Sequence, residues 1–232
     1  MAELPFNFLG YEFQSGLDVL RKSAQTGLAA LSGKINALER QLQDYRRIGE
    51  FEGERDEEGH VLWERDDALD HEIAFADDAR MELRKAFAIA IFHHWERSVQ
   101  RWIAQENRTA ASDGSDTPTK PPARGLKKLR CFEKLSEAAR DVGYPPHPEL
   151  EHVVTLANTL KHNNEKHGKK LLEKWPDIFP LQFQKPPRLS DWASAIQLTD
   201  QHLSEIFDIV SKSGPTVHST NPTAINNIRV VS

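Results

Sequence analysis

Three polar side chains in one short segment have types and spacing that suit phosphate chemistry. The segment reads LANTLKHNNEKHG, and in it Asn158 precedes Lys161 by three positions and His162 by four, so all three share one face of a helix. A histidine moves protons near neutral pH, a lysine offsets charge on a phosphate, and an asparagine orients either group. A structural explanation competes with this one, because lysine and histidine also stabilise the negative end of any helix.

This trio needs a helix whose other face is buried. Pro148 suits the first turn of such a helix, and apolar residues follow it at helical spacing. These residues are Leu150, Val153 or Val154, Ala157 and Leu160. Ala157 and Leu160 are therefore expected to face the core and to leave the trio displayed together.

The remaining segments also predict helices. Apolar residues from Leu17 to Tyr45 repeat with the coiled-coil period. The next predicted helix, from about Ala68 to Asn107, has a stripe of Ala88, Phe92, Trp95, Val99 and Trp102. Further helices are predicted over Leu126 to Val142, over Lys169 to Lys174, and from Ser190 through Thr199 to Val210. Since Glu58-Gly59 also indicates a tight turn, the predicted fold is an all-α helical bundle with a long N-terminal coiled-coil-like helix and one small β-hairpin.

Composition divides the chain into three parts. Residues 1–67 are expected to form the long amphipathic helix and an acidic hairpin, residues 68–212 the bundle, and residues 213–232 a flexible tail. Within the bundle, residues 109–124 have no hydrophobic period and are rich in Ser, Thr, Pro and Asp, which predicts a mobile loop.

The net charge of -5 hides an asymmetry along the chain. Residues 1–78 hold 18 acidic and 8 basic residues, whereas Thr119 to Lys174 holds 12 basic residues, 7 acidic residues and four histidines. A polyanion would therefore bind the second interval, unless both are simply solvated faces. The single cysteine, Cys131, excludes an internal disulfide, and the longest apolar run ends at Phe92 after only seven residues, so we expect a cytoplasmic protein without a membrane span.

Two of these segments together resemble the HEPN superfamily of helical domains. One is the aromatic helix IFHHWERSVQRW with its acid, Glu96, and the other is the window from Ala157 to His162, where histidine follows asparagine. The resemblance covers about Ala68 to Val210 without the loop. It implies a metal-independent endoribonuclease that acts as a homodimer, often in toxin-antitoxin, abortive-infection or other defence systems. Other members of the superfamily have lost catalysis and serve as binding modules.

Carried over residue by residue, the family pattern matches at Asn158 and His162. The family's arginine has no counterpart at the positions that would hold it, which are Thr155, Leu156 and Ala157. Lys161 is the expected replacement cation, although a lysine lacks the planar fork with which arginine grips a phosphate. This departure leaves open whether the chain is a ribonuclease or a catalytically inactive relative.

In an active protein, the resemblance implies that His162 acts as general acid or base when a ribose 2'-hydroxyl attacks the neighbouring phosphate. Lys161 would then offset the charge of the transition state and Asn158 would position the phosphate. Glu96 would orient His162 or a cation. Further side chains expected to bind phosphate are Arg97, Arg101, Lys166 and Lys169.

A metal centre is one alternative for the same region. Glu149 and His152 have the Glu-x-x-His spacing of helical di-iron proteins, but none of the other predicted helices carries a second copy of that motif. His162 and His167 are five positions apart, about 140° around a continuous helix, and are not expected to point together. We therefore predict neither a metal nor a cofactor.

A non-enzymatic interaction protein is the other alternative. An antitoxin, immunity or regulatory protein would use the Leu17 to Tyr45 helix and the acidic N-terminal third to bind a basic protein. The missing arginine favours this alternative, and the charge asymmetry is compatible with both functions.

Overall fold

The computed structural model describes residues 6–112, 131–183 and 191–218 of the chain. Within these ranges the fold is the predicted all-α bundle, with a long first helix and one small antiparallel hairpin. The helices are α1 (Phe8–Ile48), α2 (Arg65–Ser112), α3 (Phe132–Asp141), α4 (Leu150–His162), α5 (Glu165–Lys174), α6 (Trp192–Ala195) and α7 (Asp200–Ser211). The strands are β1 (Gly53–Arg55) and β2 (Val61–Glu64). In the described ranges, no helix is both long and apolar enough to cross a membrane.

The chain folds into two compact units. One consists of Lys22–Ala86, and the other contains residues 6–21 together with the described residues from Phe87 onward. Helices α1 and α2 each contribute to both units. This division differs from the predicted boundary after residue 67, because each of the two long helices contributes to two separate cores.

The smaller unit joins the later part of α1 to the first turns of α2. Leu38, Leu42 and Leu69 form its buried cluster, and Ile73 packs against them. The apolar period of the N-terminal helix therefore predicted which of its residues are buried, since Leu38 and Leu42 belong to that repeat.

The hairpin between these helices has the tight turn that its sequence predicts. Gly59 has a φ of +87°, which glycine adopts without steric cost, and its amide donates to the carbonyl of Asp56 at 3.0 Å. At the base of the hairpin, the Tyr45 hydroxyl donates to Glu64 at 2.9 Å and accepts from the amide of Glu52 at 3.0 Å. These bonds fasten the hairpin to the end of α1.

The larger unit has its core along α2 and α4. The predicted α2 stripe is buried, with Trp95 and Val99 fully inaccessible to solvent. On α4, Val153, Leu156 and Ala157 are also fully buried. Two buried threonines satisfy their hydroxyls within the helix, because Thr155 and Thr159 donate to carbonyls four residues earlier at 2.7 and 2.8 Å. Helix α4 is thus the central element of this unit.

The structure corrects the predicted end of α2. Residues 109–112, which we expected to begin a mobile loop, belong to α2, and Ala110 and Ala111 have the highest helix propensity of all residues. The rest of that predicted loop lies outside the described residues. So does the first part of the helix predicted from Leu126, since the described part of α3 begins at Phe132.

The prediction of one helix from Ser190 through Thr199 is wrong. Helix α6 ends at Ala195 and α7 begins at Asp200, with Thr199 as its N-cap. The Thr199 hydroxyl accepts from the amide of His202 at 3.1 Å, and His202 reciprocates by accepting from the amide of Thr199 at 3.2 Å. At this position in the apolar repeat, a threonine is compatible either with a continuing helix or with the N-cap of a new one. Here it is the N-cap of α7. Ser190 lies outside the described residues.

Residues just after α7 pack against the start of α1. Ser213 is fully buried, and its carbonyl accepts from the indole Nε1 of Trp95 at 2.9 Å. The carbonyl of Val217 accepts from the amide of Asn7 at 2.8 Å. The flexible tail predicted from residue 213 therefore does not begin there, and residues 219–232 lie outside the described ranges.

Candidate functional site

A sharp turn between α4 and α5 forms the candidate site. Asn163 ends α4 in the left-handed conformation, with φ of 44° and ψ of 45°, and its side-chain Oδ1 accepts from the amide of Ala193 at 3.0 Å. Asn164 then caps α5, where its Oδ1 accepts from the amide of His167 at 3.0 Å. Asparagine is well suited to both positions, because it tolerates positive φ and caps helices. The two asparagines thus reverse the chain within two residues.

This turn brings two histidines together. The ring centroids of His162 and His167 are 6.2 Å apart, with an angle of 34° between the ring planes. The expectation that they point apart is wrong, because it assumed a continuous helix and the helix breaks at Asn163. His162 is exposed and His167 is half-buried. His167 is the functional candidate that spacing alone missed, and the Asn-Asn pair between the histidines was the available signal.

His167 has its pKa lowered from the usual value. The main cause is its partial burial, and the positive charges of His162, Lys166 and Lys170 add to it. A lowered pKa keeps this imidazole neutral, and so able to accept a proton, at neutral pH.

The lysines of the segment have different surroundings. The ammonium of Lys161 lies 5.3 Å from the ring centroid of Phe92 on α2, a cation–π distance. Lys169 is paired with Glu165 at 2.6 Å. Lys166 is exposed and, within the described ranges, forms no ion pair. Of the predicted cations in this segment, Lys166 is therefore the one whose charge is neither paired nor stacked.

Glu96 has a partner that the sequence did not suggest. Its Oε2 lies 3.0 Å from the Nδ1 of His93 on the same helix. Glu96 follows Phe92 by one helical turn. Because Lys161 contacts Phe92, it lies near the same face of α2 as Glu96. Asn158 is half-buried on α4. The predicted catalytic residues therefore do not converge: Lys161 contacts α2, whereas His162 lies next to α5.

The other predicted cations lie on the exposed side of α2. Arg97 and Arg101 are both exposed, and both contribute positive charge at His94. Arg101 also lines a cleft of about 160 Å³ together with Glu12 and Ser98. No contact joins either arginine to the histidine pair within the described ranges.

The positions that would hold the family's arginine are all in the core. Thr155 is 3% exposed, and Leu156 and Ala157 are 0% exposed. No side chain at these positions reaches the surface where His162 and His167 lie, so a cation for phosphate must come from another element.

Metal-binding groups are not clustered in this region. In the part of the chain that the structure describes, no three side chains of the His, Cys, Asp or Glu types lie close enough to share an ion. The Glu149 and His152 pair stands at the start of α4, where it lines a pocket with the end of α5.

Comparison with models of known protein families, with curated proteins and with solved structures finds no match for this chain. The HEPN resemblance therefore stays a prediction, and the function must be argued from the site.

Proposed function

We propose that this chain is an RNA-directed protein that cleaves RNA without a metal ion at the α4–α5 turn. The observation that supports the proposal is the His162–His167 pair, with ring centroids 6.2 Å apart in a lysine-rich turn. Positive charge on His162 disfavours protonation of His167, so a neutral base can lie beside a protonated acid. A base and an acid side by side are what phosphodiester transfer needs.

The lowered pKa of His167 supports giving it the role of the base and His162 the role of the acid. Neutral His167 takes the proton of a ribose 2'-hydroxyl, and the resulting oxygen attacks the adjacent phosphorus. Protonated His162 gives its proton to the departing 5'-oxygen, whose bond to phosphorus breaks. The products are a 2',3'-cyclic phosphate and a 5'-hydroxyl, and the two histidines have exchanged protonation states.

Lys166 is the cation best suited to the phosphate in this scheme. It is adjacent to His167, and its positive charge contributes to the lowered pKa there. The N-terminal end of α5, with its partial positive charge, adds to the same potential. Lys166 would thus offset the charge on the phosphate, the role that the sequence suggested for Lys161. The ammonium of Lys161 instead lies over the ring of Phe92.

The family resemblance gives this proposal its context. A HEPN-like endoribonuclease of a toxin-antitoxin or other defence system would act as a homodimer, and the missing arginine would be replaced by Lys166 and by the second histidine. Glu96 and Asn158 would then support the site from α2 and α4 without contacting the scissile bond.

The test is cleavage of RNA in the presence of a chelator. We expect purified protein to produce fragments with 2',3'-cyclic phosphate ends, and we expect His162→Ala and His167→Ala each to lower the rate by a factor of about 10² or more, the usual contribution of a general acid or base. The rate of the wild type should follow a bell-shaped dependence on pH, since one histidine must be neutral and the other protonated.

His71→Ala is the matched control, because His71 is exposed on α2 in the other compact unit. It should cleave at the wild-type rate. Cleavage that persists unchanged in both site variants would refute the assignment, and cleavage that requires a divalent metal would refute the mechanism.

A second candidate function, binding of a basic protein, has its own observation at the hairpin. Three consecutive β2 residues expose large apolar side chains: Val61 is 43% exposed, Leu62 60% and Trp63 48%. They stand in the interval from Glu50 to Asp70, which holds ten acidic residues and two arginines. Exposed apolar side chains surrounded by acidic residues favour a partner that has both basic and apolar residues, such as an extended lysine-rich segment.

Calorimetric titration with synthetic peptides tests this second function. A peptide of alternating lysine and valine should bind the wild type, and Leu62→Ser combined with Trp63→Ser should weaken it about tenfold or more. Phe75→Ser is the control, because Phe75 is 71% exposed on α2 outside the hairpin. Equal binding to the wild type and to the hairpin variant would show that charge alone attracts the peptide, and would remove this candidate.

A further inference from the structure

A polar pocket lies at the end of α5 that is farther from the histidine pair. Its volume is about 420 Å³, within the usual size range of pockets for small ligands. It is bounded by the first turn of α4, the end of α5 and the exposed face of α7. The side chains that matter for its chemistry are His147, Glu149, His152, Trp175, Glu205 and Lys212.

Trp175 is the central aromatic group of this pocket. It directly follows α5, and its ring centroid lies 6.3 Å from that of His152 and 5.8 Å from that of His202. His202 meets the indole nearly edge-on, at 76°, which holds the ring in place without covering it by stacking. The indole is half-buried and lines the pocket, so part of its surface is open to a ligand. A partly exposed indole held in this way is a stacking platform.

The polar groups around the indole indicate what would stack there. Glu149 and Glu205 contribute carboxylates, which accept hydrogen bonds and repel phosphate. Asp208 is already paired with Arg21 at 3.1 Å, and Lys174 with Glu151 at 2.8 Å. Lys212 adds one positive charge against these two carboxylates, so the pocket is suited to a flat, uncharged ring with N–H donors rather than to an anion.

Helix α5 connects this pocket to the histidine pair. His167, Lys170 and Lys174 share one face at positions i, i+3 and i+7, and Trp175 follows directly. The rise from His167 to Trp175 is about 12 Å along the helix axis. Lys170 and Lys174 both bond Glu151, which holds the pKa of that carboxyl at about 2 and anchors α5 on α4. The face thus carries net positive charge between the proposed cleavage site and the aromatic platform, as surfaces that bind single strands do.

We infer that the Trp175 pocket binds an unpaired nucleobase of the RNA whose backbone is cleaved at His162 and His167. The inference rests on the proposed function and adds to it a determinant of substrate choice. The base stacks on Trp175, and its amino group donates to Glu205 or Glu149. Bases with an exocyclic amino group are bound in preference to uracil, because carboxylates accept from such groups.

Ligand-observed NMR with nucleosides tests the pocket separately from cleavage. Cytidine should bind the intact chain more tightly than uridine, and ribose 5-phosphate should not compete with it. Trp175→Ala should weaken cytidine binding about tenfold or more, as loss of base stacking does, while Trp175→Phe should retain part of the affinity. Glu205→Gln should reduce the preference for cytidine over uridine, and it leaves the apolar core unchanged, since Glu205 is only half-buried.

The outcomes for the two sites are distinguishable. His162→Ala and His167→Ala should bind cytidine as the wild type does, so nucleoside binding without RNA cleavage would support the pocket and remove the proposed ribonuclease. Cleavage without nucleoside binding, equal binding by Trp175→Ala, or competition by ribose 5-phosphate would each overturn the pocket.

Discussion

The backbone of Asn163 determines which histidines meet. With φ of 44°, it is a non-glycine residue in the left-handed region, and it allows α5 to start immediately after α4. If the helix continued, His167 would lie on another face from His162, as the sequence spacing suggested. The candidate site therefore depends on the conformation of one residue that takes no part in the chemistry.

Two substitutions at Asn163 separate its conformational role from its hydrogen bond. Asn163→Ala should lower the free energy of unfolding by about 2 kcal/mol, because it adds strain in the left-handed region and removes the bond to the Ala193 amide. Asn163→Gly removes the bond without strain and should cost about 1 kcal/mol. Urea denaturation measures both, and equal losses would contradict a role for the left-handed conformation.

His94 illustrates a histidine whose role is structural. Its Nε2 donates to the carbonyl of Phe13 at 3.0 Å, and its ring stacks on the Phe13 ring. Burial is the main reason that the pKa of His94 is lowered from 6.5, and the nearby charges of Arg97 and Arg101 add to it. The adjacent histidine pair in the sequence thus divides into a packed residue, His94, and a half-exposed one, His93, that pairs with Glu96.

The lowered pKa of His94 predicts a loss of stability in mild acid. The unfolded chain binds this proton more tightly than the folded chain, so stability from the neutral ring is present above about pH 6.5 and is lost as the pH falls below it. Melting temperatures recorded from pH 7.5 to pH 5 should therefore fall less for His94→Gln than for the wild type. His71→Gln, on an exposed histidine, should follow the wild-type curve.

At the scale of elements, apolar spacing predicted the helices well and their ends poorly. The stripe on α2 is buried as expected, and most of the stripes on α1 and α4 are, although Tyr45 and Leu160 are only half-buried. The break at Thr199 was missed, and the break before the helix predicted from Lys169 was not assigned to Asn163, because each of these residues also fits a continuing helix. What decides between the two is capping, which Asn164 and Thr199 provide through bonds to the third amide beyond.

Two glycines of α1 should respond oppositely to alanine. A Cβ at Gly33 would have no neighbour within 4 Å, so Gly33→Ala should raise the free energy of unfolding by about 0.5–1 kcal/mol through helix propensity. A Cβ at Gly16 would collide with the ring of His94, so Gly16→Ala should lower it by about 1–3 kcal/mol. Thermal and chemical denaturation of both variants test the pair, and stabilisation by both would contradict the close packing at Gly16.

At the scale of the molecule, the sequence predicted the fold class but not the division into units. The apolar repeat of α1 continues past Lys22 without a break, and nothing in that repeat marks where one core ends and another begins. The boundaries between Arg21 and Lys22 and between Ala86 and Phe87 fall inside α1 and α2. The candidate site was predicted in part. His162 and Lys161 are on the surface segment identified from the sequence, whereas His167 lies beside His162 only because the chain turns at Asn163 and Asn164.

The distribution of tryptophan gives the chain two optical reporters of its own. Of its five tryptophans, Trp95, Trp102 and Trp192 are buried, while Trp63 is exposed on the hairpin and Trp175 is half-exposed in the pocket. A water-soluble quencher such as acrylamide therefore reaches two indoles, one in each compact unit. The part of the emission that acrylamide quenches would come from the pocket in a Trp63→Phe variant and from the hairpin in a Trp175→Phe variant, without any attached dye.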